Sequence, residues 1–214
     1  MIGPVALNLS IEVVPFAIRA ERLEVLLTRR PTGWRLPGGP LEGVENLDAA
    51  ARRHLTDQTG FGGAYLEQLY TFGRPEAAGG LAVTVAYYAL VSCGALAVDP
   101  AADGRARMEW SSLAALPDLL QDHAGIAALA HRRLASKLAY STIALQLMPE
   151  RFTLTELQAV NETILGEILD KRNFRKRILA LDCIEATGET ARRGGHRPAQ
   201  LYRAKRPGQV DFIK

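Results

Sequence analysis

Through the first ninety residues apolar positions cluster in short runs between turns, and over much of the remainder they recur every three or four residues. Ile11 to Ile18 and Leu23 to Thr28 read as two strands joined by the polar turn Arg19-Ala20-Glu21-Arg22. Pro31-Thr32-Gly33 breaks the second strand. Leu36-Pro37-Gly38-Gly39-Pro40 then reads as a rigid loop, because paired glycines and prolines without N–H groups exclude a helix or a central strand. Asn46 offers an N-cap and Gly60 a stop for a helix between them. Further strands over Ala64 to Phe72 and Leu81 to Val91 complete an α+β set.

From Ser112 the spacing turns helical, through Leu116, Leu119 and Leu120 to Ala127, Leu134 and Leu138, and predicts a long connector helix that Pro149 ends. Thr153-Leu154-Thr155-Glu156 is a capping box opening a helix to about Leu165, which Gly166 closes. Asp170 caps the next helix, Lys171 to Leu181, basic and amphipathic with Phe174, Ile178 and Leu181 as its apolar stripe. Cys183 to Ala186, a Gly/Arg loop and Gln200-Leu201-Tyr202-Arg203 follow as a hairpin. Helix, helix, hairpin is the order of a winged helix-turn-helix, so the expected domains are 1–148 and 149–214. No internal repeat or low-complexity tract occurs.

A chain of 214 residues accommodates two cores of ordinary size. The net charge of +3 is unevenly distributed: residues 1–150 hold 13 Lys/Arg against 15 Asp/Glu, whereas residues 151–214 hold 13 against 8. A compact basic module suggests a polyanion partner, with a solvated basic face as the alternative. The uncharged stretch 77–98 is long enough to cross a bilayer, but its β-branched and aromatic middle, Leu81 to Tyr88, reads as a buried strand. With no basic segment behind Met1, no secretory signal is expected. Only Cys93 and Cys183 occur, outside any metal or redox spacing, so a reduced, cytoplasmic protein without a cofactor is expected.

The loop and helix over residues 39–61 carry the chemistry. Gly39 is followed after five residues by Glu45 and after seven more by Arg53, then His54-Leu55-Thr56-Asp57-Gln58-Thr59-Gly60-Phe61. This spacing resembles the Nudix box, in which carboxylates one helical turn apart share a divalent cation that bridges a diphosphate. Three acidic positions of the family pattern are held here by His54, Asp57 and Gln58. An imidazole and an amide are poor Mg²⁺ ligands, so Glu45 and the shorter Asp57 alone remain; no metal site and no hydrolysis are expected.

Taken with the C-terminal module, the chain resembles the NrtR family of Nudix-related regulators over nearly its whole length, through Leu69-Tyr70-Thr71-Phe72-Gly73-Arg74-Pro75, Val85 to Leu90, Leu169 to Lys176 and Arg197 to Arg203. The resemblance implies a Nudix-like mixed-sheet α/β/α domain that senses a ligand, followed by a winged helix-turn-helix that binds DNA. It further implies a repressor of NAD-metabolism genes responsive to ADP-ribose or a related nucleotide or sugar phosphate; a sensor must bind its signal without consuming it. The alternative is an active Nudix hydrolase with an appended nucleic-acid- or protein-binding module. Glu76-Ala77-Ala78-Gly79-Gly80 stands where the family usually carries an arginine-rich segment, which removes guanidinium groups from phosphate recognition.

The ligand candidates are Arg29, Arg30 and Arg35 for phosphate oxygens, Glu45 and Arg53 in the box, Arg74, and the aromatic residues Trp34 and Phe72, which either stack on an adenine or fill the core. His54 either faces the former metal site or lies on the surface. Lys171, Arg172, Asn173, Arg175 and Lys176 crowd the start of the basic helix, where recognition helices meet base edges in the major groove. Arg192, Arg193 and Arg197 are the candidates for a wing following phosphates or the minor groove. The expected partner is a palindromic double-stranded operator bound by a homodimer, with the apolar helix around Ala124 to Leu138 as the candidate interface.

Overall fold

The computed structural model describes residues 6–76, 80–95, 108–120, 122–191 and 198–213. Contacts divide the chain into two compact units. One draws on residues within Met1–Phe16, Glu24–Leu90 and Val98–Ala130, the other on Ala17–Leu23, Val91–Ala97 and His131–Lys214.

The first unit is built on a mixed sheet. β1 (Leu7–Arg19) and β2 (Arg22–Arg30) form a hairpin whose two turn residues, Ala20 and Glu21, both have positive φ (44° and 60°), the backbone that matches the twist of two-residue hairpins. Beyond them come β3 (Gly33–Arg35), β4 (Gly38–Pro40), α1 (Leu47–Thr59), β5 (Tyr65–Pro75), β6 (Leu81–Leu90) and β7 (Met108–Ser112). The strand order is β3-β2-β1-β6-β5, with β4 paired to β1 and β7 to β2. β1 and β6 run parallel and supply the core, with Ile11, Val13, Val14, Phe16, Val85, Tyr87, Tyr88 and Leu90 buried. A bulge between Gln68 and Tyr70 marks β5, where Leu69 is buried.

Two sequence expectations are corrected here. Gly38–Pro40 is a short strand, pairing antiparallel with Ser10–Glu12, because the paired glycines let the loop run flush along β1. Residues 108–112 are a strand, and the helix expected from Ser112 is replaced by a single 3₁₀ turn, Leu113–Ala115, capped by the Ser112 hydroxyl. Pro117 lies just beyond this turn, and α2 (His123–Lys137) begins only after it, with Ile126, Ala127, Ala130 and Leu134 as its buried stripe. Residues 81–90, within the uncharged stretch long enough to span a bilayer, form strand β6, half-buried over 81–84 and buried over 85–90, and no helix among the described residues is long and apolar enough to cross a membrane.

The second unit holds α3 (Leu154–Leu165), α4 (Lys171–Ala180), β8 (Ile184–Ala191) and β9 (Ala199–Ala204). Both halves of the Thr153/Glu156 capping box are formed, and Gly166 ends α3 in the left-handed region at φ 72°. His131 places Nε2 2.9 Å from the Ile164 carbonyl, serving one acceptor in the last turn of α3. Gln158 and Glu162 hold the turn to α4: Gln158 donates to the Leu169 carbonyl (2.9 Å), and Glu162 accepts the Leu169 N–H (2.9 Å). β8 and β9 pair antiparallel, and Phe152 and Tyr202 exchange N–H···O bonds of 2.9 and 2.8 Å, adding a third edge to the hairpin.

Candidate functional site

Asn46 caps α1 by accepting the Ala49 N–H, and Gly60 closes it at φ 82°. The helix turns Ala50, Ala51, His54, Leu55 and Thr59 inward. Gly38 and Gly39 fill the narrow gap between this helix and β1. A Cβ on Gly38 would stand 2.3 Å from the Ile11 carbonyl oxygen and 2.2 Å from Glu12 Oε2; one on Gly39 would stand 2.8 Å from His54 Cε1.

His54 and Gln58, one turn apart, face this loop and bind it directly. Gln58 pairs with both backbone groups of Gly38, accepting its N–H at Oε1 (3.2 Å) and donating from Nε2 to its carbonyl (2.9 Å). His54 Nε2 lies 3.0 Å from the Pro40 carbonyl, and Nδ1 lies 3.3 Å from Gln58 Nε2. A carbonyl only accepts, so Nε2 carries the imidazole hydrogen and Nδ1 accepts from the amide. His54 is therefore a buried residue of the loop–helix contact, which settles its alternatives against a surface position.

Glu45 is fully engaged. Its Oε1 accepts from Arg53 Nη2 (2.5 Å) and the Glu42 N–H (2.9 Å), and its Oε2 accepts from Arg53 Nε (3.1 Å). The hydrogen bonds from Arg53, then from Glu42, hold the Glu45 carboxyl down to about 2. Asp57 lies on the exposed side of the helix. Among the described residues, no group of three His, Cys, Asp or Glu is placed to hold a metal ion. The Gly38 and Pro40 carbonyls, hard oxygens of the kind Mg²⁺ takes, receive N–H donors instead. The residues present do not fit the divalent cation of the Nudix pattern.

Of the remaining ligand candidates, Arg29 and Trp34 are brought together across the β2–β3 pair, the guanidinium centre 5.2 Å from the ring centroid. Arg30 ends β2 opposite Gly33. Arg35 is committed inward: its Nη2 donates to Glu12 Oε1 at 2.7 Å and its Nε to the Leu36 carbonyl at 3.3 Å. Phe72 is half-buried, edge-on to Tyr70 with centroids 5.1 Å apart, and Arg74 is exposed two residues further along β5. Register places Phe72, Thr84, Ser10 and Pro40 in one row across β5, β6, β1 and β4, so Phe72 stands about 14 Å from the loop at ~4.8 Å per strand.

Two residues of this neighbourhood escaped sequence reasoning. Glu12 is 3% exposed; burial drives its carboxyl up to about 8 against the opposing pull of Arg35, and its Oε2 has no hydrogen-bond partner. His123 accepts the Leu36 N–H at Nδ1 (2.9 Å), and burial, then the charge of Arg35, lower it to about 4. The Trp34 carbonyl accepts the Leu120 N–H (2.9 Å), so the strand carrying Trp34 and Arg35 is tied at two points to the residues that open α2. A charge inside the apolar run of β1 was the available signal for Glu12; His123 had none.

In the second unit the Asp170 side chain accepts the Asn173 N–H (2.8 Å) and starts α4. Lys171, Arg172, Asn173 and Lys176 are exposed, and Phe174 and Ile178 are buried beneath them. Arg175 is half-buried, and its Nη2 lies 3.4 Å from the Thr155 hydroxyl of α3. Arg192, Arg193 and Arg197 lie outside the described residues.

Comparison with known proteins matches both units. Residues 10–132 fit the NUDIX domain, and residues 144–204 fit the NrtR DNA-binding winged helix domain. The chain is 37% identical over 205 residues to the ADPR responsive transcriptional repressor NtrR of Acinetobacter baylyi, covering 91% of this chain and 81% of that one. It is similar to Shewanella oneidensis NrtR crystallised with a 27mer DNA, at 33% identity and a TM-score of 0.78 over 92% of this chain and 93% of that one. A MutT/nudix family protein from Enterococcus faecalis matches at 26% identity and a TM-score of 0.72 over 93% of this chain and 88% of that one. With a Nudix fold, a winged helix module of the NrtR type and a relative this similar along its length, the chain belongs to the NrtR family of Nudix-related transcriptional regulators.

Proposed function

We propose that this protein is a DNA-binding transcriptional repressor whose Nudix domain binds ADP-ribose without hydrolysing it. The observation that carries the reading is the state of the box: both oxygens of Glu45 are taken by Arg53 and Glu42, and His54 and Gln58 point N–H groups where metal carboxylates would stand. Such a site offers no fitting ligand set to the cation that would polarise a diphosphate and activate water. It retains groups that bind: Arg29, Arg30, Arg53 and Arg74 for phosphate oxygens, Trp34 and Phe72 for an aromatic base, and Glu45 as the anchor of Arg53, while Arg35 is spent on Glu12. The effector follows from the ADPR-responsive relative; genes of NAD metabolism are the corresponding targets.

The DNA-binding domain spans 149–214 and the sensing domain 1–148. Lys171, Arg172, Asn173, Arg175 and Lys176 enter the major groove, and Arg192, Arg193 and Arg197 contact the DNA backbone. A homodimer reads two half-sites of a palindromic operator, in the cytoplasm where chromosome and effector meet. Calorimetric titration with ADP-ribose, run beside an assay for AMP release in Mg²⁺ or Mn²⁺, tests the sensor: binding without turnover is expected. Robust turnover abolished by Glu45→Gln would establish a hydrolase instead.

A further inference from the structure

We propose that His54 and Gln58 take over the structural role of a divalent cation, so that the box holds its diphosphate-binding loop in shape, and binds its ligand, without metal. The ligand part rests on the effector reading above.

In a box that kept its carboxylates, a divalent cation shared between them would also take carbonyl oxygens of the facing loop, and would so join helix to loop. Here the loop presents the Gly38 and Pro40 carbonyls to the helix, and both accept N–H hydrogen bonds directly, at 2.9 Å from Gln58 Nε2 and 3.0 Å from His54 Nε2. Gln58 uses its remaining capacity fully, its second N–H reaching His54 Nδ1 and its oxygen taking the Gly38 N–H. The two side chains thus form one closed network in which each donor has an acceptor. It fixes Gly38-Gly39 against a wall of β1 and the His54 ring, where a Cβ on either glycine would collide. The loop is complete before any ligand arrives, and preorganisation of this kind removes an ordering cost from binding. Neither an imidazole N–H nor an amide offers an added cation an anionic oxygen, which leaves it the exposed Asp57 and a Glu45 already paired.

The experiment compares the full-length wild type with a His54→Glu/Gln58→Glu double variant, each in EDTA and in millimolar MgCl₂, by ADP-ribose calorimetry and by thermal unfolding without ligand. Wild-type affinity is expected to agree within about twofold between the two buffers, and its unfolding temperature to stay unmoved by Mg²⁺. The double variant is expected to lose at least about tenfold in affinity in EDTA, to regain it with Mg²⁺, and to be stabilised by Mg²⁺ on its own. The proposal is overturned if the wild type needs Mg²⁺ for affinity or is stabilised by it, or if the double variant in EDTA matches the wild type in both measurements. A wild type that binds no ADP-ribose in either buffer sinks the effector reading, and the ligand-free unfolding comparison then decides the network's role alone.

Discussion

Replacing Gly38 with alanine adds one methyl group where none fits. Its carbon would stand 2.3 Å from the Ile11 carbonyl oxygen and 2.2 Å from Glu12 Oε2, against ordinary contacts of 3.4–4 Å. Glu12 is buried and paired with Arg35, and the Ile11 carbonyl belongs to the backbone of β1, so relief comes by moving the loop. Overpacking of this kind costs about 1–3 kcal/mol. Moving the loop also weakens the two Gln58–Gly38 hydrogen bonds, each worth about 1 kcal/mol. The expected loss is roughly 3–5 kcal/mol, a large part of the ~5–15 kcal/mol typical of a folded domain. Both tryptophans, Trp34 and Trp110, lie in the first unit, so urea unfolding followed by tryptophan fluorescence reports on that unit directly. Gly63→Ala is the control: a Cβ there meets nothing within 4 Å, and a change within about 0.5 kcal/mol is expected. Equal urea midpoints for the two variants would refute the close-approach argument.

Other outcomes follow from the same geometry. The folded Glu12 value of about 8 lies above its ordinary 4.5, so its contribution to stability is present below pH 4.5 and lost as pH rises through 8; His123, lowered from 6.5 to about 4, contributes above 6.5 and loses that as pH falls towards 4. Between pH 6.5 and 8 the loss from Glu12 outweighs the small remaining gain from His123, so the first unit should lose about 1–2 kcal/mol, a loss absent from Glu12→Gln and measurable by urea melts across that range. Arg172→Ala or Asn173→Ala should cost on the order of 1–3 kcal/mol chiefly on the correct operator, whereas Arg192→Ala/Arg193→Ala should weaken operator and random DNA alike. The salt slope should flatten by about one unit for each phosphate that those two arginines no longer neutralise. Fluorescence anisotropy on both DNAs over a salt series separates the two classes, and indifference of DNA binding to both sets would leave the module a protein-binding one.

What could be read from sequence was local. Caps announce themselves, so Asn46, Gly60, Thr153, Gly166 and Asp170 were placed by residue type alone and bound their helices as expected. Spacing within the box was equally legible, because an i, i+4 relation on a helix fixes which side chains share a face. Long-range pairing was not. Residues 108–111 read as no element and Ser112 as the start of a helix until Glu24–Thr28 pairs with them as β7, and Gly38–Pro40 reads as loop until β1 lies alongside. The substitutions at positions 54 and 58 showed a loss of carboxylates, but their gain, two N–H groups aimed at Gly38 and Pro40, depends on where the loop comes to rest. Arg35 likewise looked like a phosphate ligand from its place in the sequence, and only the fold shows how much of it is spent on Glu12.

One ligand, bound and not consumed, is expected to weaken DNA binding. A DNA selected from a random pool by the full-length protein serves as operator, and its affinity is measured by fluorescence anisotropy at increasing ADP-ribose. Binding free energies are linked, so whatever factor ADP-ribose takes from DNA affinity, DNA must take from ADP-ribose affinity. The expectation is a loss of operator affinity of roughly 5- to 150-fold, the usual range for such coupling, an equal reciprocal loss, and intact ADP-ribose recovered at the end. Operator affinity unchanged at saturating ADP-ribose, or ADP-ribose recovered as its cleaved products, would contradict it.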